Sequence, residues 1–310
     1  MSNISNQCIK PSSLNEGDYI GLVAPAGRIN QMTVDNGIQM VKDMGFNYKL
    51  GKNVLNSKGR FSATDEERAS DMQAMIDDPD VRAILALRGG YGSVRIIDRI
   101  NFAAFAKDPK WIIGFSDITV FHSHLQKNYN TQTIHAAMPV SYQENKKEAG
   151  VIEGIKSILI GDNVSYEFES HDLNREGEAS GVLCGGNLTL FHSLLASDSD
   201  LNTDGKILMF EDLCEEMYKI DRYLMSLKRA GKFDKIKGLV IGQFTNLTDS
   251  NPPLGKTIEE LFVDITKEYD FPVMFDFPVG HTHNNLPLAL GQSYSLKVEK
   301  ENSYLFPNNR

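Results

Sequence analysis

The segment Val81–Leu87 constrains the fold more than any other in this 310-residue chain. It is a short, nearly continuous apolar run, and it ends in Arg88-Gly89-Gly90-Tyr91-Gly92-Ser93. Such a run, closed by turn residues, reads as a strand buried on both faces. Trp111–Phe115 is a second such strand, ended by Ser116. Tyr19–Val23, Phe46–Leu50 and Thr131–Ala137 read as further strands. Helical spacing lies between them. Thr33–Met44 places Val34, Ile38, Val41 and Met44 on one face. Thr64 with Glu67 forms a capping-box pattern, and the helix it opens runs to about Asp77, where Asp78-Pro79 stops it. A short helix is expected over Val94–Ile100 and a longer one from Asp117 to Lys127. This alternation implies an α/β fold with a parallel sheet covered by helices on both faces.

The second half divides differently. Asn145–Ile160 is expected to be helical. The stretch Gly161–Ser180 is polar, acidic and poor in long apolar runs, so it reads as a linker. The expected organisation is an N-terminal domain over 1–160, a linker over 161–180 and a smaller α/β C-terminal domain over 181–310. In the latter, strands are expected at Gly181–Cys184, Lys206–Phe210, Gly238–Phe244 and Pro272–Phe277. Helices are expected at Leu188–Ala196, Met217–Ala230 and Thr257–Glu268, and Leu288–Leu305 reads as a terminal hairpin.

Charge excludes one class of partner. The net charge of −9 argues against nucleic acid, which needs a basic surface. The N-terminus shows no basic segment followed by an apolar one, so export is not expected. No stretch approaches the roughly 20 apolar residues of a membrane helix, and the expected location is the cytoplasm. Cys8, Cys184 and Cys214 have neither disulfide-framework nor zinc spacing and read as reduced thiols.

Gly114-Phe115-Ser116-Asp117 joins a buried strand to a helix. A serine there projects from the C-terminal edge of the sheet, where open parallel sheets place ligands. The arrangement resembles a nucleophile elbow, with a small residue two before the serine. Ile118 stands where the usual elbow has its second glycine, and helix capping by Ser116 or Asp117 is the competing reading. The Asp117 amide, at a helix start, can meet a developing oxyanion. The Gly89-Gly90-Tyr91-Gly92 loop is expected beside Ser116, with the Gly90 amide as second donor and Gly89 and Tyr91 as substrate contacts. Its glycines lack the spacing of a dinucleotide fingerprint, and no cofactor is expected.

Among seven histidines, His281 is the best general-base candidate, in a glycine-flanked polar loop. His135, at a strand end near the same edge, is second. His281-x-His283 is half a metal site without a third ligand, so no metal is expected. Glu211, Asp212, Glu215 and Glu216 follow the strand Lys206–Phe210. A carboxylate there can orient a histidine, but spacing does not choose among the four.

Taken in order, Val23-Ala24-Pro25-Ala26, Leu87-Arg88-Gly89-Gly90-Tyr91-Gly92, Ile113-Gly114-Phe115-Ser116-Asp117, Gly185-Gly186-Asn187-Leu188, Phe210-Glu211-Asp212 and Gly280-His281 resemble the LD-carboxypeptidase family, the muramoyltetrapeptide carboxypeptidases. The resemblance covers nearly the whole chain. It implies Ser116 as nucleophile, Glu211 as orienting carboxylate and His281 as base. It implies a flavodoxin-like or amidotransferase-like N-terminal domain, a smaller α/β C-terminal domain, a homodimer, and a triad assembled where the domains meet. The implied activity is release of terminal D-alanine from a muropeptide substrate in cell-wall recycling. A sibling branch, the microcin C self-immunity peptidases, cleaves a peptidyl-nucleotide amide with the same triad. A non-catalytic ligand-binding protein on this scaffold is the remaining alternative. A groove lined by Gly89–Tyr91 and the Gly280–Asn285 loop is expected, with Ser116 and His281 at or somewhat beyond hydrogen-bonding range.

Overall fold

The computed structural model describes residues 8–145 and 150–308. The buried runs form the central strands of a six-stranded sheet. Its members are β1 (Tyr19–Val23), β2 (Asn47–Leu50), β3 (Val81–Ala86), β4 (Trp111–Gly114), β5 (Thr133–His135) and β11 (Leu288–Leu290). They lie in the order β11-β5-β4-β3-β1-β2. The first five are parallel, and β11 joins β5 antiparallel. The order β2-β1-β3-β4-β5 is the flavodoxin-like one, with its switch point between β1 and β3.

The second sheet holds β6 (Tyr166–Glu169), β7 (Gly177–Asn187), β8 (Lys206–Leu213), β9 (Gly238–Thr245), β10 (Val273–Met274), β12 (Ser293–Val298) and β13 (Asn302–Pro307). Its order is β10-β9-β8-β7-β12-β13-β6. The run β7 to β10 is parallel and the other three strands pair antiparallel.

Helices flank both sheets. They are α1 (Gln31–Asp43), α2 (Asp65–Asp77), α3 (Ala103–Lys107), α4 (Thr119–Tyr129), α5 (Tyr142–Asn145), α6 (Val151–Ile160), α7 (Leu188–Ser193), α8 (Met217–Arg229) and α9 (Ile258–Thr266). The capping box of α2 forms as read: Thr64 Oγ1 accepts from Glu67 N, and Thr64 N donates to the Glu67 carboxylate.

Several boundaries differ from expectation. The stretch read as a linker contributes β6 and the start of β7. In β6, Tyr166 and Phe168 alternate with Glu167 and Glu169, a period of two too short to stand out in a polar context. The segment Val94–Ile100 is two 3-10 turns, Ser93–Arg95 and Ile97–Arg99. The helix expected over Asn145–Ile160 appears as the end of α5 and as α6; residues 146–149 lie outside the described chain. The terminal hairpin is β12–β13 alone, because β11 crosses back to the first sheet. A single apolar cluster includes Ile113 and Ile134 of the first sheet with Leu183, Met209 and Val240 of the second. That shared core holds the two sheets together more firmly than a polar tether would.

The crossing of β11 positions the site. After β10 the chain must travel from the second sheet to the edge of the first. The residues between, 275–287, therefore bridge the two sheets beside β5 and β4.

Candidate active site

Ser116 sits at φ +60°, two residues beyond the end of β4. This left-handed conformation is costly for a residue with a side chain and is found where function holds it. Gly114 makes the turn feasible. Its φ is +154°, and a β-carbon there would lie 2.9 Å from Ile118 Cγ1. The glycine two before the serine thus plays the part the sequence assigned to it. A 3-10 turn, Ser116–Ile118, then leads into α4, and its start leaves the Asp117 N–H without a partner inside the turn.

The Asp117 side chain faces inward and is fully buried. Its Oδ2 accepts from Ser93 N at 2.7 Å. Burial pushes its pKa up, against that hydrogen bonding. Asp117 therefore ties the turn after β4 to the residue that follows the glycine loop.

The glycine loop lies where the chain order predicted. A β-carbon on Gly89 would lie 3.2 Å from Ser116 Oγ and 3.3 Å from Asp117 N. Gly90 has φ +102°, and a β-carbon on it would lie 3.5 Å from Gly27 Cα. Tyr91 is exposed and packs its ring 5.7 Å from that of Phe61. Arg68, buried on α2, donates to the Pro25 and Gly92 carbonyls and so joins the loops after β1 and β3.

His281 is delivered by a chain of close backbone approaches. Gly242 of β9 leaves room for Val279, whose Cγ1 would be 2.5 Å from an added β-carbon. Gln243 N donates to Val279 O at 2.9 Å. The register of β8 and β9 slips here, between Phe210 and Asp212, an irregularity that re-aims a side chain. Gly280, at φ +113°, lies against Glu211, where a β-carbon would sit 2.8 Å from Oε2. Gly280 N donates to Asn285 Oδ1 at 2.9 Å.

His281 Nδ1 consequently meets Glu211 Oε2 at 2.7 Å. Glu211 is fully buried, so that contact is little screened by water. The imidazole packs on Phe115, ring centroids 4.6 Å apart, which brings it to the residue preceding Ser116. Among the described residues Ser116 Oγ has no hydrogen-bond partner, as in many free enzymes.

The four neighbouring carboxylates separate by environment. Asp212 points away from His281. It accepts from Asn187 Nδ2, Thr189 N, Thr189 Oγ1 and Leu213 N. Burial, with the adjacent Glu211 adding, still raises its pKa to about 6. Glu216 pairs with Lys219 at 3.0 Å. Only Glu211 reaches His281 among the described residues.

His135 is not in the loop-histidine position but beneath it, fully buried, 5.7 Å from the Phe115 ring and 6.3 Å from His122. His122 sits within 2.9 Å of Gly114 O through Nε2, and so pins the residue on which the serine turn depends. Spacing gave no sign of this. The anchors Phe115, Asn285 and Arg68 were equally silent, except that Arg68 is a cation on the apolar face of a helix. His283 is exposed. Among the described residues no group of three metal-ligating side chains gathers, and no helix is long and apolar enough to cross a membrane. A cavity of about 590 Å³ beside the His281 loop is not the expected groove. Thr282 and Asn284 line it with His171, Gln243 and Asp276, but Gly89–Tyr91 do not.

Burial lowers the His122 pKa to about 4, against its bond to Gly114 O. Neutral in the fold, it gains a proton on unfolding below about pH 6.5. Its contribution is therefore present above that pH and lost as pH falls toward 4, by about 3 kcal/mol. Asp212 works in the opposite direction, since its raised pKa costs stability as pH rises from about 4 to about 6. Comparing variants cancels that term. The variant His122→Gln, which keeps a donor for Gly114 O, should lose less stability than wild type between pH 7 and 4.5 in denaturant titrations. Equal losses would refute the assignment.

The fold is that of an α/β protein with a serine in a left-handed strand-to-helix turn, and the phenylalanine before that serine packs on a carboxylate-backed histidine. Family models describe it further. The LD-carboxypeptidase N-terminal domain matches residues 20–136, and the LD-carboxypeptidase C-terminal domain matches residues 180–296. The chain belongs to the LD-carboxypeptidase family. A Bacillus subtilis (strain 168) protein named "Probable murein peptide carboxypeptidase" is 29% identical over 309 residues, covering 98% of this chain and 97% of its own. The crystal structure of muramoyltetrapeptide carboxypeptidase from Oxalobacter formigenes superposes with a TM-score of 0.85 at 27% identity, covering 94% of this chain and 99% of that one. The microcin C7 self immunity protein, in its wild-type apo state, has a TM-score of 0.84 at 20% identity, covering 96% and 98%. That last likeness is one of fold.

Proposed function

We propose that this protein is a serine L,D-carboxypeptidase that releases terminal D-alanine from a peptidoglycan-type tetrapeptide. The observation that carries the reading is the His281 Nδ1–Glu211 Oε2 contact of 2.7 Å, made by a ring packed at a tilt against the residue before Ser116. The named activities of the relatives support the substrate class.

In this reading Glu211 holds the imidazole with its proton on Nδ1, leaving Nε2 to accept one. Nε2 takes the Ser116 proton as Oγ forms a bond to the scissile carbonyl carbon. The Gly90 and Asp117 amides receive the oxyanion. As the tetrahedral species collapses, the carbon–nitrogen bond breaks and His281 returns its proton to the departing amine of D-alanine. Water, deprotonated by His281, then cleaves the ester and restores Ser116. Asp117 and Ser93 keep the turn and the glycine loop in register through the 2.7 Å bond between them.

Incubation with tetrapeptides ending in L-lysyl-D-alanine or meso-diaminopimelyl-D-alanine tests this directly. Mass spectrometry should show free D-alanine and the matching tripeptide. Intact peptides after prolonged incubation with folded protein, or cleavage at an internal bond, would refute it.

A further inference from the structure

We propose that Arg88, flanked by Arg28 and Arg60, binds the terminal carboxylate of the substrate and so makes the site selective for a free C-terminus. The assignment rests on the carboxypeptidase reading above and names the group that reading leaves unrecognised.

The three arginines gather at one place on a chain with a net charge of −9. Arg28 follows β1 and Arg88 follows β3, the two strands that flank the switch point of the sheet. Crevices at such points are where open α/β sheets bind ligands. The loops are laced together. Gly27 N donates to Gly89 O at 2.9 Å, Arg28 N to Arg60 O at 2.9 Å, and Arg88 Nη1 to Arg28 O at 2.8 Å. The Arg88 side chain thus lies along the 27–28 segment, and a β-carbon on Gly27 would be 3.5 Å from its Nε. Arg60 rests over the exposed Tyr91 ring at 5.7 Å.

All three are exposed, and among the described residues none has a carboxylate partner. Their neighbours do. Arg68, Arg95 and Arg99 on the same side of the sheet bind Asp65 or Glu66. Among the described residues, the arginines at the rim of the glycine loop, Arg28, Arg60 and Arg88, thus differ from Arg68, Arg95 and Arg99 in having no carboxylate partner. One N–H of Arg88 is used by Arg28 O, and the rest of its planar fork is open to a carboxylate, which guanidinium binds in a bidentate manner.

Distance supports the match. Gly89 touches Ser116, and Arg88 is the next residue. The terminal carboxylate of a substrate lies one residue beyond the scissile carbonyl, about 4 Å away. The Arg88 backbone is one residue from Gly89, whose added β-carbon would lie 3.2 Å from Ser116 Oγ, and from there its side chain would reach that carboxylate.

Binding separates this claim from turnover. Calorimetry on the Ser116→Ala protein would use the two tetrapeptides named above and their C-terminal amides. The acid should bind at least about tenfold more tightly than the amide, the size expected of hydrogen bonds to a charged group. Adding Arg88→Ala should bring acid and amide to within about twofold. If that variant fails to fold, Arg88→Lys decides, because it keeps a charge but not the fork, and its acid preference should fall at least about threefold. Equal binding of acid and amide by the Ser116→Ala protein, a preference that survives both Arg88 variants, or no binding of any peptide overturns the assignment. A preference that depends on Arg88, together with no cleavage by the wild-type protein, overturns the peptidase reading alone.

Discussion

Replacing Ser116 with alanine lowers turnover of an L,D-tetrapeptide by about 10⁴- to 10⁶-fold, the range seen when a triad nucleophile is removed. The fold should not change. Alanine occupies the left-handed position at φ +60° at much the same cost as serine, and among the described residues Ser116 Oγ makes no hydrogen bond to lose. A second substitution separates chemistry from structure. Glycine tolerates that backbone, so Ser116→Gly should be as inactive as Ser116→Ala and more stable by about 1 kcal/mol. A serine held there only for structure would show the reverse: retained turnover in the alanine variant and no stability gain in the glycine one. Turnover is read by D-alanine release, and stability by denaturant titration.

Replacing Glu211 with glutamine should lower turnover by about 10³- to 10⁴-fold with little effect on KM, as removing the negative charge behind a catalytic histidine does. The reason is the tautomer. A carboxylate beside Nδ1 at 2.7 Å keeps the proton on that nitrogen and leaves Nε2 basic. A glutamine amide can donate to Nδ1, which moves the ring proton to Nε2 and removes the acceptor that Ser116 needs. The substitution also has a structural cost. Glu211 Oε1 is buried with no partner among the described residues, so an amide nitrogen placed there would lack an acceptor, at about 1–3 kcal/mol; the amide therefore turns its nitrogen to Nδ1, and the charge-assisted bond at that position is lost. Turnover must therefore be compared under conditions where both proteins are folded. A fall of less than about tenfold would show that Glu211 does not govern the state of His281.

Much of this site was legible before the structure, for identifiable reasons. The strand holding Ser116 is apolar throughout and the residue two before the serine is glycine, so both the turn and its exit from the sheet edge follow from local chemistry. The capping box at Thr64 and Glu67 is likewise a local signal and formed as read. Glu211 was a different case. Four carboxylates lie within six residues, and only long-range packing distinguishes them: Gly280 over Glu211, and Thr189 and Asn187 on Asp212. Resemblance pointed to Glu211; spacing could not.

The return of β11 to the first sheet was also hidden. Leu288–Leu290 alternates no differently from the hairpin that follows it, and a three-residue strand takes its partner from tertiary packing. That crossing carries the His281 loop over Phe115. The shared apolar core was hidden for the same reason, since its members come from strands far apart in the chain. Likewise, the arginines at the rim of the glycine loop are scattered at 28, 60 and 88, and only the β1–β3 switch point brings them together.

In the proposed mechanism Ser116, Glu211 and His281 act as one unit. Groups that act as a unit do not lose activity additively, because once the nucleophile is gone its activators have nothing to activate. The deciding measurement is D-alanine release by the Ser116→Ala/Glu211→Gln double variant beside each single variant. The double variant should retain the residual rate of Ser116→Ala alone, within about threefold. A double variant slower than Ser116→Ala by the full factor that Glu211→Gln costs in the wild-type background would contradict that mechanism.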